Sequence, residues 1–144
     1  MPISAPSIAA LLGKISRTPL SVMEVCGTHT VSVFRSGIRS ILPPTLRLVS
    51  GPGCPVCVTD QGEIEAAISL LDRGAVVAAY GDMFKVPCKG GSLASKRSGG
   101  LDARVVTSAM EVLAIAVENP EREVVVLGVG FETTAPATAA LVSE

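Results

Sequence analysis

The sequence predicts an α/β fold, namely a parallel sheet with helices on both faces in a three-layer arrangement. Short runs of aliphatic residues alternate along the chain with segments whose apolar residues recur at helical intervals. Aromatic residues make up only 3% of the 144 residues, whereas hydrophobic residues make up 48%. The core must therefore be aliphatic, which suits buried parallel strands covered by helices. The alternation itself implies parallel strands joined by crossover helices.

Three helices and three strands are predicted in the first part of the chain. Pro43 and Pro44 stop the second helical pattern, and Asp60 with Glu63 has the spacing of a capping box at the start of the third helix. In order, we predict a helix over 7–15, a strand over 20–26, a helical pattern over 31–42, a strand over 46–50, a helix from Asp60 to Gly74 and a strand over 75–81.

A long segment of weak periodicity separates these elements from the rest. Residues 81–103 are rich in Gly, Ser and Lys, and a loop of this length is functional, mobile or a domain boundary. The following elements are predicted as a strand over 104–108, a helix that begins with the capping pair Ser108 and Glu111, a strand over 123–130 and a helix from Thr134 to Glu144. We therefore place an N-terminal α/β domain at 1–90 and the start of a second, incomplete α/β domain at 91–144.

The composition of the chain argues against several classes of protein, namely nucleic-acid-binding, membrane and secreted proteins. A net charge of −1 gives no electrostatic reason to expect nucleic acid or an anionic membrane as a partner. No apolar run approaches the roughly 18 residues that cross a bilayer, and the N-terminal stretch lacks the basic region and cleavage site of a signal peptide. We expect a soluble, cytosolic protein, in which four cysteines serve chemistry more often than they form structural disulfides.

The unusual residues follow the predicted strands. Cys26 ends the first strand, Cys54 and Cys57 lie just beyond the second, Cys88 follows the third, and Phe131 to Thr134 follow the last. Because ligands bind beyond the carboxyl ends of strands in open α/β sheets, these residues are predicted to share one edge.

The stretch GPGCPVC, residues 51–57, constrains two thiols. Pro55 suits the second position of a type I or type II turn, and the β-branched Val56 resists the positive φ that type II requires. A type I turn keeps the first and fourth α-carbons within about 7 Å, which overlaps the range of about 4.4–6.8 Å for a disulfide. Cys54 and Cys57 are therefore predicted to form a redox pair, and the start of the next helix favours the thiolate.

The residues alone leave several readings open. The pair Cys54 and Cys57 can be half of a zinc site, although Cys26, His29 and Cys88 stand singly and supply no second pair. A thioredoxin-like motif is a further alternative. The segment CGTH, residues 26–29, offers a thiol and the only histidine to a metal such as iron, although a lone Cys is often a small buried hydrophobe and a lone His a surface group.

The segment GVGFET, residues 128–133, has two glycines of the dinucleotide-binding fingerprint. Thr133 replaces the third glycine, so a nucleotide site is the weakest alternative. A tight turn from strand to helix explains Gly128 and Gly130 equally well.

Four segments together resemble the HypD family of hydrogenase maturation proteins. They are MEVCGTHT (23–30), SGPGCPVCVT (50–59), YGDMFKVP (80–87) and GFETTAP (130–136), in the order and approximate spacing of that family. The resemblance implies a scaffold that works with a small HypC partner, and with HypE as cyanide donor, while the Fe(CN)2CO centre of nickel-iron hydrogenase is assembled.

The resemblance also implies roles for individual residues. Cys26 is similar to the iron-ligating cysteine of the family, with His29 beside it, and Cys54 with Cys57 is similar to the thiol pair that supplies or relays electrons. Further residues resemble those that line the cleft between the two α/β domains of the family, namely Asp82, Glu132, Thr133 and Thr134.

Two features depart from the family pattern. Cys88 and Lys89 follow Val86-Pro87, where the family usually has glycine, and we interpret the Cys88 thiol as incidental, with an extra ligand as the alternative. Family members are longer, and their C-terminal part holds a 4Fe-4S cluster whose ligands are absent here. The last predicted helix has no stop signal, so we expect a portion of such a protein. A cytosolic thiol-disulfide oxidoreductase that uses Cys54 and Cys57 is the alternative function.

Overall fold

The computed structural model describes residues 4–144, apart from the side chain of Ala5, and it has an α/β fold with parallel strands. The predicted fold class is confirmed. The helices and strands of these residues are α1 (Ala5–Ile15), β1 (Leu20–Glu24), α2 (Gly27–Arg35), β2 (Leu46–Ser50), α3 (Pro55–Val58), α4 (Gln61–Asp72), β3 (Val76–Tyr80), α5 (Leu93–Ser98), β4 (Ala103–Val106), α6 (Glu111–Glu118), β5 (Val124–Leu127) and α7 (Ala135–Ser143). None of the helices within this range has the length and apolar character to cross a lipid bilayer.

The chain divides into two compact units, one that ends at Val58 and one over Thr59–Glu144. In the first unit β1 pairs with β2, and in the second the strand order is β4-β3-β5, with every pair parallel. The boundary predicted between residues 90 and 91 falls inside the second unit, between β3 and its neighbour β4. As a statement about the domains of a longer protein, that boundary stays a prediction.

The first unit is built on a two-stranded sheet. Leu20 of β1 pairs with Leu46 of β2, and at the carboxyl end Glu24 pairs with Ser50. Of the side chains that the structure describes in this unit, Pro55 alone is buried. A sheet of two strands cannot cover its own faces, so apolar side chains of this unit remain exposed.

The second unit contains the hydrophobic core. Val76 to Ala79 of β3 are completely buried, because β3 lies between two neighbouring strands. One face of α4 is buried as well, through residues at helical spacing: Ile64, Ala67, Ile68 and Leu71. The Asp60 carboxylate accepts the Gly62 N–H at 2.7 Å, which confirms the predicted cap.

Leu71→Ala should destabilise the second unit by about 2–5 kcal/mol, because Leu71 is fully buried and its truncation leaves a cavity. Urea unfolding followed by the fluorescence of Tyr80, the only tyrosine in a chain without tryptophan, reports on this unit. The control Val117→Ala removes a side chain that is 80% exposed, and should change the free energy of unfolding by no more than about 0.5 kcal/mol. Equal unfolding midpoints for the two variants would contradict the proposed core.

Two predicted segments differ from the structure. The helical pattern over 31–42 begins earlier, at Gly27, and ends at Arg35, because Gly37 takes a left-handed conformation with φ of 63°. Residues 81–103 are not a structureless loop, since they contain α5. Ser92 and Ser95 cap that helix reciprocally, with serine in the position where a capping box usually has Glu or Gln.

Candidate metal centre

Three cysteine sulfurs of the first unit lie together. The Sγ atoms of Cys26, Cys54 and Cys57 all lie within 4.8 Å of one another, and the Cys26 and Cys57 sulfurs are 3.8 Å apart. Cys57 is exposed, whereas Cys26 and Cys54 are half-buried. Two segments that are distant in sequence therefore place three thiols at one solvent-accessible point.

Cys26 is positioned by the turn from β1 into α2. It is the N-cap residue of α2, with an extended backbone at φ −134° and ψ 120°, and its carbonyl accepts the Thr30 N–H at 3.0 Å. The Cys26 thiol lies beside Cys57 instead of capping the helix. The backbone conformation that begins the helix thus directs the thiol to the sulfur cluster.

Cys54 and Cys57 are positioned by a single turn of helix after β2. Gly53 has φ of 94°, a conformation that favours glycine, and Pro55 begins α3 where its missing N–H costs no hydrogen bond. The Cys54 carbonyl accepts the Cys57 N–H at 3.0 Å and the Val58 N–H at 3.2 Å. The first of these is the hydrogen bond of the predicted turn, and the second extends it into a helix. Residues three apart on a helical turn are neighbours, so the two thiols meet.

The cluster favours a thiolate on Cys57. The Thr28 backbone N–H donates to this sulfur, and with the Cys54 thiol and the Thr28 hydroxyl it lowers the pKa of Cys57 to about 6. The hydrogen bond to Cys57 raises the pKa of Cys54. We expected the helix after the cysteines to stabilise a thiolate, but the amide that contacts the sulfur belongs to the first turn of α2. Cys57 is therefore the more readily ionised thiol of the pair, and Cys54 donates a hydrogen bond to it.

Gly27 lets α2 approach this sulfur. A Cβ atom built on Gly27 would lie 3.3 Å from the Cys57 Cβ and 3.6 Å from its sulfur. The first of these separations is tighter than ordinary van der Waals contact, so any larger residue would push α2 and α3 apart. The close contact between α2 and Cys57 therefore explains why position 27 is a glycine.

The other candidate ligands lie outside the sulfur cluster. His29 is exposed in the first turn of α2, and its ring is not one of the clustered ligand atoms. Cys88 belongs to the second unit, where its N–H and carbonyl both bond to Gly91. The structure thus groups three of the four cysteines.

A separate cleft in the second unit contains two of the predicted cleft residues. Glu132 and Thr134 line an open depression of about 580 Å³, together with Gly128, Gly130 and Phe131. The other two lie elsewhere: Thr133 is exposed and does not line the depression, and the Asp82 carboxylate accepts the Met83 N–H at 2.9 Å.

Gly130 has a packing explanation. A Cβ atom at this position would lie 2.5 Å from the Thr134 Oγ1 atom. The glycine is therefore required by the turn from β5 towards α7. This packing explains Gly130 without a nucleotide-binding site.

Sequence reasoning missed two residues that contact the thiols or their backbone. Thr28 donates to Cys57, and the Glu24 carboxylate accepts the Cys26 N–H at 3.0 Å and the Thr30 hydroxyl. The Thr30 hydroxyl, followed by the Cys26 amide, lowers the pKa of Glu24. The sequence contained one indication of the role of Glu24, which is the only acidic residue among the first 58 and lies two positions before Cys26.

The donor set determines which metal groups the cluster can hold. Three thiols suit a soft or borderline metal ion and leave a coordination position open for another ligand. A 4Fe-4S cluster is usually held by four cysteine thiolates, and within residues 4–144 the group contains three. The site therefore fits a single metal ion and does not fit such a cluster.

Comparison with known proteins identifies the family. Residues 4–144 match the HypD family model, which is described as "Hydrogenase formation hypA family". The chain belongs to the HypD family. It is 43% identical over 132 residues to hydrogenase maturation factor HypD of Escherichia coli, a match that covers 91% of this chain and 35% of the relative.

Matches to other HypD relatives cover similar shares of this chain and of the relative. The chain is 48% identical over 124 residues to hydrogenase maturation factor HypD of Cupriavidus necator, which covers 85% of this chain and 33% of the relative. It is 46% identical over 125 residues to the HypD protein of Azotobacter vinelandii, again with 85% and 33% covered. The chain thus spans about a third of the length of these curated HypD proteins. The recognition made from four segments of sequence is confirmed.

Proposed function

We propose that this chain is the part of a hydrogenase maturation factor that holds iron during assembly of the Fe(CN)2CO centre of nickel-iron hydrogenase. The observation that carries the proposal is the meeting of three sulfurs from two segments at one accessible point. Relatives named hydrogenase maturation factor HypD support a role in hydrogenase maturation. In this scheme the iron is the cargo of the protein, which passes it on.

Cys26 is proposed as the thiolate that binds the iron. Its sulfur belongs to the cluster, and a thiolate is a suitable ligand for iron in this setting. His29 follows in the first turn of the same helix. We propose it as the acid or base that assists at this site, because an imidazole offers one nitrogen that donates and one that accepts.

Cys54 and Cys57 are proposed as the redox pair of the site. Conversion of their two thiols to a disulfide forms one S–S bond and releases two electrons and two protons. We propose that the cyanide-bearing group of the HypE-like donor accepts these two electrons and two protons as cyanide is released to iron. Two electrons from the 4Fe-4S region of longer family members, taken up with two protons, then return the disulfide to the dithiol. The Cys57 thiolate is the nucleophile that begins each exchange.

Partners are proposed from the family and from the exposed surface of the first unit. A small HypC-like protein is proposed to bind at α2, where Val31 is exposed beside the thiols and Phe34 is 81% exposed. A HypE-like protein would deliver cyanide. We propose that this assembly is cytosolic and involves neither nucleic acid nor a membrane.

The cleft of the second unit is proposed as a second functional surface. Glu132 and Thr134 line it, and Asp82 and Thr133 complete the set of residues that we propose for binding the cofactor under assembly. The Glu132 carboxylate can accept hydrogen bonds and the Thr134 hydroxyl can donate or accept them, so both are suited to contact polar groups of the cofactor under assembly.

A thiol-disulfide oxidoreductase is the second candidate function. The lowered pKa of Cys57 favours it, because catalytic thiols of that class are thiolates near neutral pH. Insulin reduction separates the two functions. Rapid turnover by the chain without iron or a partner would support the oxidoreductase, and no turnover would support the maturation factor.

Complementation tests the proposed function directly. A nickel-iron hydrogenase producer without its own HypD gene should regain hydrogenase activity when it receives the full-length gene that contains this chain. The triple variant Cys26→Ala, Cys54→Ala, Cys57→Ala should restore none, whereas the control Cys88→Ala should restore full activity. Full activity with the triple variant would overturn the proposal.

A further inference from the structure

Glu24 is hydrogen-bonded to the segment that carries Cys26. Its Oε2 atom accepts the Cys26 backbone N–H at 3.0 Å, and its Oε1 atom accepts the Thr30 hydroxyl. Cys26 caps α2 and Thr30 lies one turn later, so the two bonds brace the start of this helix from both sides. The carboxylate thereby fixes the backbone from which the Cys26 thiol projects.

The same residue is bonded to the end of β2, which leads to the other two thiols. Glu24 and Ser50 are paired at the carboxyl ends of β1 and β2, and the Ser50 side chain adds a hydrogen bond to the carboxylate. The Glu24 carbonyl accepts the Gly51 N–H at 2.8 Å. A Cβ atom on Gly51 would lie 2.6 Å from that carbonyl oxygen, so only glycine permits this approach.

We propose that Glu24 is the positioning residue of the thiol cluster, and that it sets the separation between the Cys26 sulfur and the sulfurs of Cys54 and Cys57. It is the residue whose side chain and backbone join both thiol-bearing segments. The inference rests on the proposed function in one respect, namely that the clustered thiols bind a metal ion.

The carboxylate is needed for its two oxygens. Each oxygen accepts from a different donor, and glutamine keeps the length of the side chain but has only one oxygen acceptor. In Glu24→Gln the Cys26 amide and the Thr30 hydroxyl can no longer donate to separate, charged oxygens, so the bonds become weaker neutral ones and the bond to one partner is lost or reversed. Aspartate is shorter by one methylene group and does not span the same distances.

The chain contains a matched control for this interaction. Glu111, in the second unit, accepts the N–H groups of Thr107 and Ser108 at 3.1 Å and 3.0 Å, and also the Thr107 hydroxyl. It thus braces the start of α6 as Glu24 braces α2, although all three bonds go to a single oxygen, Oε1. Glu111→Gln therefore removes the same negative charge at a helix start away from the sulfur cluster, and controls for the loss of charge alone.

Binding of Cd²⁺ to the reduced chain tests the proposal. We expect Glu24→Gln to weaken Cd²⁺ binding by about 10-fold or more, the size of effect found when a group that orients a metal ligand is removed. Thr30→Val should weaken it less, and Glu111→Gln should leave it unchanged. Alkylation mapped by mass spectrometry should show that Cd²⁺ still protects Cys54 and Cys57 in Glu24→Gln, while Cys26 becomes reactive.

This pattern separates positioning from general destabilisation. A purely structural role would expose all three thiols together and would lower the midpoint of urea unfolding. Circular dichroism should follow this unfolding, since Tyr80 reports on the second unit and Glu24 lies in the first. The same measurement on Thr30→Val provides the milder variant. Unchanged Cd²⁺ affinity with Cys26 still protected in Glu24→Gln would overturn the inference. Because the probe is Cd²⁺ alone, the outcome is independent of whether hydrogenase complementation succeeds or fails.

Discussion

Cys26→Ala is expected to abolish iron retention by the full-length protein in complex with the proposed HypC-like partner. The Cys26 sulfur is the one member of the cluster contributed by the β1–α2 segment, and it lies 3.8 Å from Cys57. Removing a ligand atom should lower affinity by more than the roughly 10- to 100-fold lost when only an orienting group is removed. Iron in the purified complex, measured by inductively coupled plasma mass spectrometry, should fall to background.

The control for this experiment is Cys88→Ala. It removes a cysteine that lies in the second unit and outside the sulfur cluster, so iron content should remain at the wild-type level. Wild-type iron content in Cys26→Ala would show that this thiol does not hold the cargo. The partner must co-purify equally with both variants, so that lost iron is not mistaken for lost partner.

Cys57 is expected to react with a small pyridyl disulfide at pH 6 about ten times faster in the folded chain than in the urea-unfolded chain. With a pKa of about 6, half of the Cys57 thiol is ionised at that pH. A thiol of ordinary pKa, about 8.5, is ionised to roughly 0.3%. The folded chain therefore holds roughly 160 times more Cys57 thiolate than the unfolded chain. A thiolate of lower pKa is also a weaker nucleophile, here by about 10- to 18-fold, so the net gain in rate is about ten-fold.

The reaction rate of Cys57 should depend on pH in a defined direction. The rate for folded Cys57 should rise with pH through a midpoint near 6 and then level off, because a lowered pKa means that the thiolate is present above it and lost below it. Gly27→Ala should move the midpoint upwards, since the added Cβ displaces Cys57 from the Thr28 amide. A midpoint at the ordinary thiol value in the folded wild type would contradict the described hydrogen bonds.

Much of the fold could be predicted because its signals are local. The strands over 46–50 and 75–81 were found from short aliphatic runs, and α4 from its cap at Asp60 and its apolar face. The start of α2 was missed because CGTH has no Ser, Thr, Asp or Asn at the N-cap, where Cys26 stands. The helix α5 was missed because its cap uses two serines in a segment with weak periodicity.

The site was predictable only in outline. Cys26, Cys54 and Cys57 could be assigned to one edge because parallel strands end together there. The role of Thr28 could not be deduced, since its contact with Cys57 depends on how two segments 29 residues apart approach each other. Glu24 bonds locally to Cys26 and Thr30, but its pairing with Ser50 depends in the same way on the approach of β1 and β2. Such contacts are set by strand register, which local patterns do not specify.

The number of sulfur atoms around one bound Zn²⁺ tests most directly whether the three thiols form a single metal site. Zn²⁺ would be added in one equivalent to the reduced Cys88→Ala chain, so that only the cysteines of the cluster remain, and the coordination would be measured by X-ray absorption. We expect three sulfur neighbours at about 2.3 Å, and two after the further change Cys26→Ala. Two or fewer sulfurs around zinc in the parent chain would contradict the shared site.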